Sequence, residues 1–270
     1  MADRNAAFEG TIPQHYDRYL GPLLFHPYAD DLAARLVPKP DVRVLEIACG
    51  TGLVTRRLLD RLGGSGSILA TDLNEAMLAY ARSQVVAAPG LQWRQADAVK
   101  LPLPDRSFDA VVCQFGLMFF PDKAAAVREA FRVLRPGGTY LFNVWGAQAD
   151  NPVPRITHET VATLFPADPP QFYTVPFNCH EPGPIQAWLA DAGFADIEWT
   201  VLDKTGTSPS AADAAIGLIE GNPIAAAIVD RRADALPEIE RAVAARIAAE
   251  VGDHPVRAPL RAVVFSARRP

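Results

Sequence analysis

The chain has 270 residues, 49% hydrophobic and 21% charged, with a formal net charge of −5. That composition supports a sizeable buried core and predicts one domain with embellishments rather than two full domains. The acidic balance, with no basic run interleaved with aromatics, argues against a nucleic-acid partner, and no apolar stretch reaches the roughly 18 residues of a membrane-spanning helix.

The N-terminus carries Asp3, Arg4 and Glu9 instead of the basic-then-apolar run of an export signal, so a cytoplasmic location without membrane insertion is expected. Cys49, Cys113 and Cys179 are odd in number and without paired spacing, which fits reduced thiols. Cys179 and His180 are neighbours in sequence and poorly placed to chelate one ion, so no metal is expected.

In chain order, Ile12 to Phe25 mixes aromatics with polar groups ahead of the first strand. Val42, Val44, Leu45 and Ile47 then read as a strand buried on both faces, as in parallel sheets. Leu53, Val54, Leu58, Leu59 and Leu62 return at helical spacing until Gly63-Gly64 stops the helix. Gly50 and Gly52 fall on the intervening turn, where glycine lets a ligand approach the main chain and the opening helix offers free N–H groups. A dinucleotide fingerprint would want a third glycine where Thr55 stands. Instead, Glu46 lies inside the strand and Asp72 ends the next apolar run, at the distance where a carboxylate meets a ribose diol. Strands near 42–48, 67–72, 91–95, 108–113 and 139–145 alternate with helices near 51–63, 75–86 and 122–134. That alternation gathers the acids and glycines at one edge of a parallel sheet.

Glu46-Ile47-Ala48-Cys49-Gly50-Thr51-Gly52, Asp72, Ala96-Asp97-Ala98, the strand Phe108 to Phe115 and the turn Arg132 to Gly138 occur in an ordered series. Across Asp41 to Trp145 this series resembles the class I, Rossmann-like S-adenosylmethionine-dependent methyltransferases, especially the small-molecule branch that includes ubiquinone and menaquinone biosynthesis enzymes. The resemblance implies an α/β fold with a seven-stranded, mostly parallel sheet, helices on both faces, an antiparallel last strand and cap insertions. It implies S-adenosyl-L-methionine as cofactor, with Asp72 on the ribose and Asp97 on the adenine amine. Contacts are expected from Tyr16, Tyr19, Glu46, Ala48, Cys49, Gly50, Thr51, Gly52, Asp72, Leu73, Met77, Asp97, Ala98, Gln114 and Phe115. On this reading a side chain at Gly52 would intrude on the cofactor without disturbing the fold.

The rest of the chain should set the acceptor. The expected organisation is an N-terminal helical cover (1–40), a cofactor-binding core (41–146), a cap insertion (147–183), a core helix and strand (184–207), a helical lid (208–253) and a final strand with tail (254–270). The first insertion is rich in proline and in Phe165, Phe172, Tyr173 and Phe177, and reads as irregular. Ile185 to Gly193 reads as a helix followed by a strand near 195–203. Ile239, Val243 and Ile247 mark an Ala-rich helix, and the last strand is expected at Leu260 to Ala267.

A sulfonium methyl is already activated, so the protein's task is to align a nucleophile and exclude water. His15, His158, His180, Glu159 and Tyr173 are candidate bases, none distinguished by its context, and no catalytic residue is assigned. The expected partner is a small-molecule methyl acceptor; a homodimer is compatible with the reading, although the residues do not fix the oligomeric state. An NAD(P)-type oxidoreductase on a similar sheet and a non-catalytic S-adenosylmethionine-binding module are the alternatives.

Overall fold

The computed structural model describes residues 4–270, so the first three positions of the expected N-terminal cover lie outside the described residues. A helical run over 12–35 comes first: α1 (Ile12–His15), a π-helical stretch (Tyr16–Phe25) and α2 (His26–Arg35). The core then alternates β1 (Arg43–Ile47), α3 (Leu53–Leu62), β2 (Ser67–Asp72), α4 (Glu75–Gln84), β3 (Leu91–Gln95) and β4 (Phe108–Gln114). It continues through α5 (Lys123–Val133), β5 (Leu134–Trp145), α6 (Pro152–Leu164), α7 (Pro182–Ala192) and β6 (Ala195–Ser208). The chain closes with α8 (Ala211–Glu220), α9 (Ile224–Arg231), α10 (Leu236–Glu250) and β7 (Val256–Arg268).

The strands form one seven-stranded sheet in the order β3-β2-β1-β4-β5-β7-β6. Only β7 runs against the rest, between β5 and β6. Alternation along each strand explains the two layers. Val44, Ala110, Val112, Leu141 and Val264 pack under α2 and α3, whereas Leu45, Val111, Cys113, Phe142 and Phe265 pack with α5 and α7 on the opposite face. The order reverses between β1 and β4. In an open α/β sheet that reversal opens a crevice beyond the strand C-termini.

Several expectations change. The last two strands are longer than expected, and β7 contains Pro259, a residue that usually ends a strand. Residues 256–261 pair with β6 alone, because β5 ends its pairing at Trp145 opposite Ala262, so the missing N–H of Pro259 interrupts no ladder on the β5 side. The segment 147–183 is less irregular than its prolines imply, since α6 is a helix of 13 residues. Pro152 and Pro154 sit in its first turn, where no N–H donor is required. Residues 208–253 hold three helices, not only the one marked by Ile239, Val243 and Ile247.

The two insertions clasp each other: Arg246 of α10 meets Glu159 of α6 at 2.9 Å, and Arg155 of α6 meets Glu250 at 2.8 Å. Among the described residues no single helix is long and apolar enough to cross a membrane; α8 and α9 pass that test only as a pair, bent by 81°.

Candidate cofactor site and its aromatic neighbour

The C-terminal ends of β1 to β4 surround a cavity of about 760 Å³. Its walls are Ile47, Ala48 and Gly50 after β1, Asp72, Leu73 and Asn74 after β2, Ala96 to Ala98 after β3, and Gln114 to Gly116 after β4. Met77 rises from α4, and Ala6, Phe8 and Tyr16 close the cavity from the N-terminal segment.

The turn after β1 is built from alternating left-handed residues, with φ of 55° at Ala48, 55° at Gly50 and 80° at Gly52. Asp72 holds that turn: Gly50 N–H donates to Oδ2 at 2.8 Å, while Asn74 N–H donates to Oδ1 at 2.9 Å. An ionised carboxylate has about four acceptor positions, so two remain for a ribose diol. Burial raises the Asp72 pKa above the usual carboxylate value, opposed by those backbone donors. Asp97 is exposed at the cavity edge and accepts from Val99 N–H at 3.0 Å, which fixes the loop and leaves its second oxygen for an exocyclic amine. Leu73 is 53% exposed beside it, an apolar surface of the kind an adenine ring covers. Gln114 Oε1, on the same cavity, is a buried acceptor without a donor among the described residues. An unpaired acceptor is the partner an α-ammonium group requires.

The two glycines divide their work differently from the sequence expectation. A Cβ on Gly50 meets nothing within 4 Å and so takes up cavity space. A Cβ on Gly52 instead strikes Val85 Cγ2 at 2.8 Å and approaches Ala81 and Trp93, at a left-handed φ. Gly52 is therefore a packing and N-cap glycine of α3, facing away from the cavity.

Other expected contacts are also corrected. Glu46 is 2% exposed, outside the cavity, and accepts from Thr55 Oγ1 at 2.6 Å. The hydroxyl at the missing third glycine thus binds the strand acid beneath the turn. Cys49 is buried on the α2/α3 face of the sheet. Thr51 donates to Asp17 Oδ1 at 3.0 Å; Asp17 also accepts from Arg56 at 3.2 Å and Tyr80 at 3.4 Å, fastening the N-terminal helix over the turn. Tyr19 lines a separate surface groove with Arg18 and Pro22. Residues three apart share a face of an α-helix, but wider π turns rotate less per residue and carry Tyr19 away from Tyr16.

Beside the cofactor cavity lies a second, smaller one, and the two share Phe8, Tyr16, Phe115 and Phe119. Its remaining walls come from Leu24 and Phe25, from Trp145, and from the two insertions through Pro154, Phe172, Tyr173, Pro176, Phe177 and Asn222. Phe115 stacks on Trp145 at 3.9 Å, and Tyr16 on Phe25 at 4.6 Å. Phe165 does not reach this cavity; it lies under Arg232 at 6.0 Å. Of the candidate bases only Tyr173 lines it. His15 faces Glu220 at 3.6 Å, His180 Nδ1 is 2.9 Å from the Phe177 carbonyl, Glu159 is ion-paired, and His158 lines neither cavity.

The family model described as "Methyltransferase domain" matches residues 45–142. Ubiquinone/menaquinone biosynthesis C-methyltransferase UbiE of Ectopseudomonas mendocina (strain ymp) is 33% identical over 175 residues, covering 60% of this chain and 68% of that relative. The chain belongs to the class I S-adenosylmethionine-dependent methyltransferases. The UbiE of Xanthomonas oryzae pv. oryzae (strain MAFF 311018) is 42% identical over 103 residues, 37% of this methyltransferase and 41% of the relative, so that match spans less than half of the relative's length. Among solved structures, Haemonchus contortus phosphoethanolamine N-methyltransferase 2 in complex with S-adenosyl-L-methionine aligns at a TM-score of 0.64 and 15% identity. That alignment covers 100% of this chain and 60% of that one. The [4+2]-cyclase SpnF aligns at 0.58 and 22%, over 91% and 82%. At such identities these likenesses show the fold alone. S-adenosylmethionine is the methyltransferase's cofactor, and the free valences of Asp72, Asp97 and Gln114 together with the Gly50 cradle fit it.

Replacing the two glycines separately should separate their effects. Gly50→Ala should weaken S-adenosylhomocysteine at least about tenfold by calorimetry while costing only the roughly 1–2 kcal/mol of a left-handed alanine. Gly52→Ala should act mainly on stability, losing roughly 1–3 kcal/mol in chemical unfolding. The reverse pattern would refute this division.

Glu46 gives a pH signature. Burial pushes its carboxyl up to about 8, against the opposing hydrogen bond from Thr55 and with a smaller contribution from Asp72. A group protonated in the fold and ionised in the unfolded chain stabilises fully below its ordinary value near 4.5 and loses that contribution as pH rises toward the folded value. Wild type should therefore lose a few kcal/mol relative to Glu46→Gln between pH 5 and 8, with a constant difference above. A difference that stays flat over that interval would show a Glu46 already ionised in the fold.

Proposed function

We propose that the protein transfers the methyl group of S-adenosylmethionine to a small, uncharged, largely apolar acceptor seated in the aromatic cavity, with 147–183 and 208–253 as its cap. The observation that carries this reading is the wall of Phe8, Tyr16, Phe115 and Phe119 common to both cavities. S-adenosylmethionine, when bound, supplies a methyl on a positively charged sulfur that needs no further activation. Asp72, Asp97 and Gly50 hold the donor's ribose, adenine and methionyl parts from the sheet edge. The shared aromatics present π faces toward a cationic centre and exclude water. Phe172, Phe177 and Trp145 orient a flat acceptor by offset and edge contacts.

The chemistry of the walls narrows the acceptor. Among the described residues the aromatic cavity is lined by no carboxylate, histidine, lysine or arginine, and an ion buried there would be unpaired. Its phenols, Tyr16 and Tyr173, are both raised well above the ordinary tyrosine value by burial, so neither is a base at neutral pH. The acceptor therefore brings a nucleophile that requires no strong base from the cavity wall. That matches the UbiE relatives' printed activity on quinone-pathway compounds only in the broad class of ring acceptors. The free, buried Cys49, Cys113 and Cys179 support a reducing, cytoplasmic setting, and an acidic chain whose sequence has no basic run interleaved with aromatics supports a small molecule over nucleic acid. A homodimer remains compatible with this reading.

The test is formation of S-adenosylhomocysteine from S-adenosylmethionine across a panel of neutral phenols, quinols and indoles. Phe172→Ala should lower turnover on any accepted compound by roughly 10- to 100-fold, since truncating a buried aromatic removes several kcal/mol of contact, while S-adenosylhomocysteine affinity stays within about twofold. Full turnover in a folded Phe172→Ala protein would place the acceptor elsewhere. Stabilisation by NAD(H) instead of S-adenosylhomocysteine in thermal unfolding would return the oxidoreductase reading.

A further inference from the structure

One polar side chain in the aromatic cavity has an unused valence. Asn222 lies in the turn between α8 and α9, is 6% exposed, and lines the aromatic cavity but not the cofactor cavity. Its Nδ2 donates to the Leu218 carbonyl at 3.1 Å and to the Tyr173 hydroxyl at 3.4 Å. Tyr173 in turn donates to the same carbonyl at 2.6 Å. The amide orientation is set by these contacts, because a carbonyl can only accept and the hydroxyl's proton is already directed to it. The remaining atom, Oδ1, receives no donor from the described residues, and it is not among the atoms sealed from contact.

We infer that Asn222 is a specificity-determining residue whose Oδ1 accepts a hydrogen bond from a hydroxyl or amino proton on the acceptor molecule. The inference rests on the aromatic cavity being the acceptor site. The aromatic walls supply contact area with little direction, and of the two tyrosines among them the Tyr173 hydroxyl is already engaged with Leu218. A fixed acceptor oxygen adds direction. A ligand with a donor at that position satisfies Oδ1, whereas an isosteric ligand carrying a methyl group leaves a desolvated amide oxygen unpaired, which is the stronger discrimination a buried polar atom gives. Because Nδ2 is tied to the end of α8 and to the cap tyrosine, Oδ1 is held without the entropy cost of a free side chain. The occupant is thus a neutral, flat ring bearing at least one hydrogen-bond donor.

Calorimetry on the full chain loaded with S-adenosylhomocysteine tests this, with 2-naphthol and 2-methylnaphthalene as probes of equal shape. Wild type should prefer 2-naphthol by roughly 10- to 100-fold. Asn222→Leu, similar in size and without polar atoms, should abolish the preference by weakening 2-naphthol and retaining 2-methylnaphthalene. Asn222→Ala, which leaves the Tyr173 to Leu218 hydrogen bond in place, serves if the leucine variant does not fold. Tyr16→Phe should keep the preference. A purely structural role would weaken both probes alike and overturn the inference, as would a preference that survives Asn222→Leu or disappears in Tyr16→Phe. Equal binding of both probes to wild type would refute the role of Asn222 alone, whereas failure of both to bind would refute the acceptor cavity itself.

Discussion

The buried carboxylate of Asp72 joins two turns that a parallel sheet leaves separate. One oxygen takes the N–H of Gly50 after β1, the other the N–H of Asn74 after β2. Without it, the left-handed residues of the first turn would have no fixed donor direction and the opening of α4 would be free to shift. With it, Gly50 is presented as bare backbone to the cavity, and the carboxylate keeps acceptor positions for a ligand hydroxyl. The same group thus organises the turns and offers its remaining acceptor positions to the cavity, so on the proposed reading its removal shows in both stability and cofactor affinity.

The arrangement of the second cavity depends on that of the first. Asp17 receives Thr51, Arg56 and Tyr80, so the N-terminal helix is fastened to the glycine turn and to α3 and α4. That fastening brings Tyr16 and Phe8 to the common wall. On the other side, the ion pairs of Arg155 and Arg246 with Glu159 and Glu250 bind the two insertions to each other. Polar networks hold the frame from outside while the interior between them stays apolar, a division that would exclude water from the proposed acceptor site.

The sheet was legible because buried parallel strands carry continuous apolar runs, and acids at their ends stand out against them. Asp72, Asp97, Gly50, Tyr16, Ala48, Leu73, Met77, Ala98, Gln114 and Phe115 do meet on one cavity. Direction was not legible. Gly50 and Gly52 are equivalent in a sequence pattern, and only the packing of Val85, Ala81 and Trp93 shows which one faces the helix α4 side. Tyr19, expected at the cofactor from the resemblance of its segment to the family's N-terminal cover, lies in a stretch of π turns and lines a separate groove. The helix α6 was hidden by prolines that mark its start. Asp17 and Asn222 carried no sequence signal of their own, since a lone acid in a helix and an asparagine before proline are ordinary surface and turn residues; their roles come from long-range contacts.

The central claim is that one carboxylate serves both the turn and the cofactor. Measuring S-adenosylhomocysteine affinity and unfolding free energy on the same Asp72→Ala protein tests it most directly. Loss of two charge-assisted backbone bonds predicts a stability loss on the order of 2–4 kcal/mol, and loss of the ribose contacts predicts affinity reduced by roughly ten- to a thousandfold. Asp72→Asn should fall between on affinity. A variant that loses stability yet binds S-adenosylhomocysteine as wild type does would contradict the account.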